Sequence, residues 1–152
     1  MNQFGSKNNQ SMKQYRSLGM SAAIEDATPH RLIQMLMDGA LDKIAAARGF
    51  MERGETAQKG AHISWAISII DGLRVSLDKS VGGEIAQNLD DLYNYMMVRL
   101  AEANLKNDAA YLSEVSGLLR QIKEGWDAIP QEIIREHATG KGSPQSGQAY
   151  GQ

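Results

Sequence analysis

No cysteine occurs among the 152 residues. That absence excludes a disulfide-stapled scaffold, a thiolate zinc or iron–sulfur site and a cysteine nucleophile, and it fits a reducing compartment. Aromatic residues are scarce, 6% of a chain that is 42% hydrophobic, so the apolar bulk is aliphatic side chains together with eight methionines. Neither sign of charge dominates. Sixteen Lys and Arg against 18 Asp and Glu leave a net charge of −2, which argues against a nucleic-acid binder held by phosphate contacts. No run approaches the roughly 18 consecutive apolar residues of a transmembrane helix, so no membrane insertion is expected. The polar first ten residues carry no apolar stretch of the kind a signal peptide needs, and a cytoplasmic location is expected. Period-2 alternation is also missing, which leaves no candidate strand.

Helical spacing is present instead. One domain of this length buries about 68–70% of the surface its unfolded chain exposes. Thr28 and Pro29 form a start signal, a capping hydroxyl followed by a residue whose missing N–H costs nothing at the first helical position. A first helix to about Met51 follows, with Leu36, Ala40, Ile44, Ala47 and Met51 on one face. A second is expected from about Thr56 to Ser80, with Ile63, Ala66, Ile70, Leu73 and Leu77 inward. Val81-Gly82-Gly83 reads as a turn. A third helix starts near Glu84 with Ile85, Leu89, Leu92, Met96, Leu100 and Ala103 inward. Asn107 or Asp108 caps a fourth, whose face is Leu112, Val115, Leu119, Ile122, Trp126 and Ile129. The spacing therefore predicts an all-α fold: an antiparallel four-helix bundle over 28–130. A disordered start (1–11) and a short N-terminal arm (12–27) precede it. A short turn and flexible tail (131–152) follow it, with the tail rich in Gly, Ser and Gln.

Catalytic and cofactor motifs are not found. His30, His62 and His137 lack the Glu-x-x-His partners of a di-iron bundle, and the glycines near Lys141 complete no phosphate-binding loop. No metal, cofactor or catalytic residue is expected. The remaining reading from another class is a phosphotransfer bundle using His62, or a purely structural one.

Some apolar residues fall off the core faces. Trp65 and Ile69 lie one turn apart on a flank of helix two. Tyr93 and Met97 do so on helix three, where Asn104 continues the line. Two such flanks can wall a groove for an amphipathic partner helix, and they equally suit a wide core face. Met12, Tyr15 and Leu18 have the spacing of an arm that docks on something.

The run Thr28-Pro-His-Arg-Leu-Ile-Gln-Met-Leu-Met-Asp-Gly-Ala40 resembles the first helix of the flagellin-specific export chaperone family, FliS. Ile69-Ile70-Asp71-Gly72-Leu73, Gly82-Gly83-Glu84-Ile85-Ala86, Asn88-Leu89, Leu92-Tyr93-Asn94-Tyr95-Met96, Arg99-Leu100 and Ala103-Asn104 continue the match. So do Asp108, Trp126 and a tyrosine, Tyr15, ahead of the first helix. Met37 departs from it, standing where the family often has an aromatic. The resemblance, spanning Tyr15 to Ile129, implies a cytoplasmic chaperone of flagellar type III export. Such a chaperone binds the disordered C-terminal segment of flagellin, prevents premature polymerisation and aids delivery to an export-gate protein. It implies no cofactor, and other flagellar regulators are candidate further partners. On this basis Trp65, Ile69, Tyr93, Met97 and Asn104 are expected to line the flagellin groove. Met12, Tyr15 and Leu18 are expected to cover a groove or contact the gate, since the family's equivalent tyrosine is implicated in export.

Overall fold

A computed structural model of the chain describes residues 27–138. They form four long helices and a short one: α1 (Pro29–Glu52), α2 (Thr56–Val75), α3 (Lys79–Lys106), α4 (Ala109–Asp127) and α5 (Gln131–Ala138). There is no strand among the described residues. Connections of two or three residues turn each helix back along its neighbour. Each of α1 to α4 packs on the next, α4 closes the ring against α1, and α5 rests on α1. The antiparallel four-helix bundle is the expected one. The arm expected over 12–27 lies outside the described residues except for Ala27, and so does the chain beyond Ala138.

Local chemistry sets the helix ends. The Thr28 hydroxyl accepts the Arg31 N–H at 3.0 Å, with Pro29 in the first turn. Asn107 ends α3 in the left-handed region (φ 55°), and Asp108 caps α4 by accepting the Ala110 N–H at 2.9 Å. The junction of α2 and α3 differs from expectation. α2 stops at Val75, where the Ser76 hydroxyl donates to the Leu73 carbonyl at 2.7 Å. Leu77 therefore sits in the connection, and Asp78 caps α3 by accepting from the Ser80 and Val81 N–H groups. The expected break at Gly82-Gly83 falls inside the α3 span as a kink, and regular helix resumes at Glu84. Gly83 holds φ 55° and ψ −126°, a conformation open essentially to glycine alone. A Cβ on Gly82 would lie 2.8 Å from that of Ala86.

The core joins all four long helices. Met37 and Ile44 meet Ile63, Ile69, Ile70 and Leu73, then Met96 and Leu100, then Leu112, Val115 and Leu119. The α1 face is the expected one, from Leu36 to Met51, and Met37, the departure from the family pattern, is also fully enclosed. α3 buries Met96, Leu100 and Ala103 as expected, with Leu89 and Leu92 partly buried against the core, and departs from the expected face only in its first half. Ala86, Asp90 and Tyr93 point inward, while Ile85 is 71% exposed. Asp90 is tolerated there because Arg74 and Lys79 each approach its carboxylate to 3.4 Å and Asn94 donates to it. At the other end of the bundle Lys59 is buried, and its ammonium donates to the Asn104 carbonyl (3.1 Å) and the Asn107 side chain (2.9 Å). That tether ties the C-terminus of α3 to the start of α2, with the positive charge where the helix dipole favours it.

Candidate binding groove

The first half of α3 leaves apolar side chains uncovered at one end of the bundle. Leu32, Ile33 and Met37 of α1, Leu73 of α2 and Leu77 of the following link form one wall. Val81, Ile85, Leu89 and Tyr93 of α3 form the floor, and Ile122, Trp126 and Ile129 close the far side. Ile133 and Ile134 of α5 extend the lip. The enclosed space is about 600 Å³, within the range of ligand clefts but long and open. Val81 is 70% exposed and Ile133 45%. Contiguous exposed apolar surface of this kind marks an interaction site.

Polar groups are few and held at the edges. His30 stacks on Trp126 (centroids 4.9 Å apart, planes within 9°) and donates from Nε2 to the Trp126 carbonyl at 2.7 Å. The Trp126 indole N–H returns the bond to the His30 carbonyl at 3.0 Å. This double latch fixes the α4 wall to the start of α1. The Ser80 hydroxyl and two backbone N–H groups hold the Asp78 carboxyl below the usual carboxylate range, so the rim keeps one negative charge. Among the described residues no group of three or more His, Asp or Glu side chains is placed to hold a metal. His62 lies elsewhere, between the rings of Phe50 and Trp65, with Nδ1 at 2.9 Å from the Gln58 carbonyl.

The flagellar protein FliS family matches residues 11–133. The chain belongs to the FliS family. The flagellar secretion chaperone FliSB of Pseudomonas aeruginosa is 55% identical over 118 residues, 78% of this chain and 94% of the relative. Flagellar secretion chaperones FliS of Salmonella typhimurium and Bacillus subtilis are similar at 49% over 127 residues (82% and 94%) and 32% over 119 (78% and 88%).

Of the five residues expected to line a groove in this FliS-family chain, Tyr93 alone lines the one described. Ile69 is 1% exposed in the core, where α2 packs on both α1 and α3 and its inward arc spans two rows. Trp65 is on the other flank of α2, under the Lys43 ammonium, which lies 3.6 Å from its ring centroid. Met97 packs partly buried against the core, and Asn104 sits at the Lys59 tether. Met12, Tyr15 and Leu18 lie outside the described residues. Sequence reading missed Val81, Ile85 and Leu89 as lining residues because periodicity assigned Ile85 and Leu89 to the core.

Burial pushes the Tyr93 phenol up to about 12. A raised folded value contributes stability that is complete below the unfolded value near 10 and is lost as pH rises through the folded one. Tyr93→Phe is therefore expected to flatten the fall in stability between pH 10 and about 12, read from urea midpoints across that range.

Proposed function

We propose that this chain is a flagellar secretion chaperone that acts in the cytoplasm and takes the C-terminal segment of flagellin into its apolar groove. The open groove on a FliS-family bundle carries this reading. A flagellin terminus is amphipathic and assembles through its apolar face. A helix laid between α3 and the α4–α5 lip covers that face as a neighbouring subunit would, and filament assembly is blocked until export. Folding a disordered segment on binding buries about 1,000–3,000 Å² and loses about 2–5 kcal/mol to ordering. The groove alone is smaller than such a surface, so the segment also extends along the outside of the bundle. Trp65, Met97 and Asn104 remain proposed contacts on that outer course. Ile69 is withdrawn.

The arm has a place in the same scheme. Pro29 lines the groove, so the segment carrying Met12, Tyr15 and Leu18 joins the bundle at the groove's edge. We assign it to covering the empty groove or to contacting the export-gate protein during delivery. Size-exclusion chromatography tests the central reading. Full-length flagellin is expected to form a one-to-one complex with this chain, and flagellin without its C-terminal segment is expected to elute alone. Equal behaviour of the two would sink the proposal.

A further inference from the structure

Farther along the α1–α4 seam a second, smaller hollow of about 150 Å³ opens to solvent. The eleven residues from Met37 to Arg48 put it about 16 Å along α1 from the groove. Ile44 and Leu112 lie at its base, and Arg48, Ser113, Ser116 and Arg120 line it. The spacing on α4 is i, i+3, i+7, which brings both hydroxyls and the Arg120 guanidinium to one face. Arg48 faces them from α1 and donates to the Ser113 hydroxyl at 2.6 Å. Its remaining partner is Glu52 at 3.5 Å, with the two side chains 50% and 63% exposed. Such an exposed pair is loosely held. The Arg120 and Ser116 side chains have no ion pair or hydrogen bond among the described residues.

Arg48 and Arg120 thus both line one small space, and Glu52 pairs with Arg48 from outside it. Guanidinium forks match planar and tetrahedral oxyanions, and the hydroxyls add donors without adding charge. The volume suits one such group with a few waters and falls below that of clefts for larger ligands. We propose that this hollow is an oxyanion site, holding one carboxylate or phosphate group between Arg48 and Arg120 with Ser113 and Ser116 as further donors. Glu52 shows the chemistry already at work from one side. The site draws on the α1–α4 pair alone and stands whether or not flagellin fills the groove.

The test is a ¹⁵N NMR titration of the full chain with sodium acetate and, separately, inorganic phosphate, each against sodium chloride of matched ionic strength. Acetate is expected to give saturable shifts of the Arg48 and Arg120 Nε–H signals and of the Ser113 and Ser116 amides. That result assigns the site to a carboxylate carried on a protein segment. Saturation by phosphate alone would keep the site and assign it to free phosphate. Arg120→Gln, at an exposed position, is expected to weaken binding about tenfold, equivalent to about 1.4 kcal/mol, with an unchanged melting curve. Shifts that follow ionic strength for both anions, or that Arg120→Gln leaves unaltered, would overturn the site.

Discussion

Flagellin's C-terminal segment is expected to bind the Val81→Glu/Ile85→Glu double variant at least about 100-fold more weakly than the native chain, while the bundle melts unchanged. Both side chains line the groove, and they are 70% and 71% exposed. Nothing in the core therefore depends on them, and glutamate is a good helix former at both places. A docked helix would cover these two side chains. Each apolar side chain fully buried is worth about 1.5–3 kcal/mol, so losing two removes more than about 3 kcal/mol. Two carboxylates in the same place would also have to be desolvated with no partner on the apolar floor, which adds to the loss. Isothermal titration calorimetry with the flagellin segment measures the affinity, and thermal circular dichroism measures the fold. Unchanged affinity in a folded double variant would show that the segment binds elsewhere on the bundle. A lowered melting temperature would show instead that the bend at Gly83 depends on its neighbours.

The bundle was legible in the sequence because its signals are local. Thr28-Pro29 and Asp108 act through hydrogen bonds within three residues, and the α1 face from Leu36 to Met51 repeats without a polar interruption. The groove was not legible, for two physical reasons. Apolar periodicity continues through Leu77, so nothing in the pattern marks the end of α2. That end is decided by the Ser76 hydroxyl and the Asp78 cap competing for the backbone. On α3 a charged residue at position 90 makes the row through Ala86, Asp90 and Tyr93 look like the outer face. Arg74 sits on a different helix, and its pairing with Asp90 is a tertiary fact that no spacing rule contains. With that row inward, Ile85 is turned out to the groove, while Leu89 stays partly buried between the groove and the core. Ile69 is covered in the core because α2 has neighbours on two sides, a number that an isolated helix face does not tell. Tyr93 was named for its off-face position, and it lines the groove because the core row itself reaches the groove floor.

Trp126→Ala is expected to cost about 2 kcal/mol of stability, below the range for a fully buried aromatic because the ring is only partly buried, and to lower the melting temperature by roughly 5–10 °C. The residue joins two helices that lie 96 positions apart in sequence, through the stack on His30 and the two reciprocal bonds at 2.7 and 3.0 Å. Its ring is also a wall of the groove, so flagellin affinity should fall with stability. Trp126→Phe separates the two roles. It keeps an aromatic wall and a ring for His30, but it removes the indole donor to the His30 carbonyl, which keeps its own bond within α1, for a loss of about 1 kcal/mol. The segment should still bind that variant. His30→Ala removes the stack and the bond to the Trp126 carbonyl from the opposite side. If the latch is one unit, the double variant His30→Ala/Trp126→Phe will be less destabilised than the sum of the singles, by about 0.5–3 kcal/mol. Strict additivity in urea unfolding would mean that the two bonds act independently and that packing of the indole alone holds the α4 wall against α1.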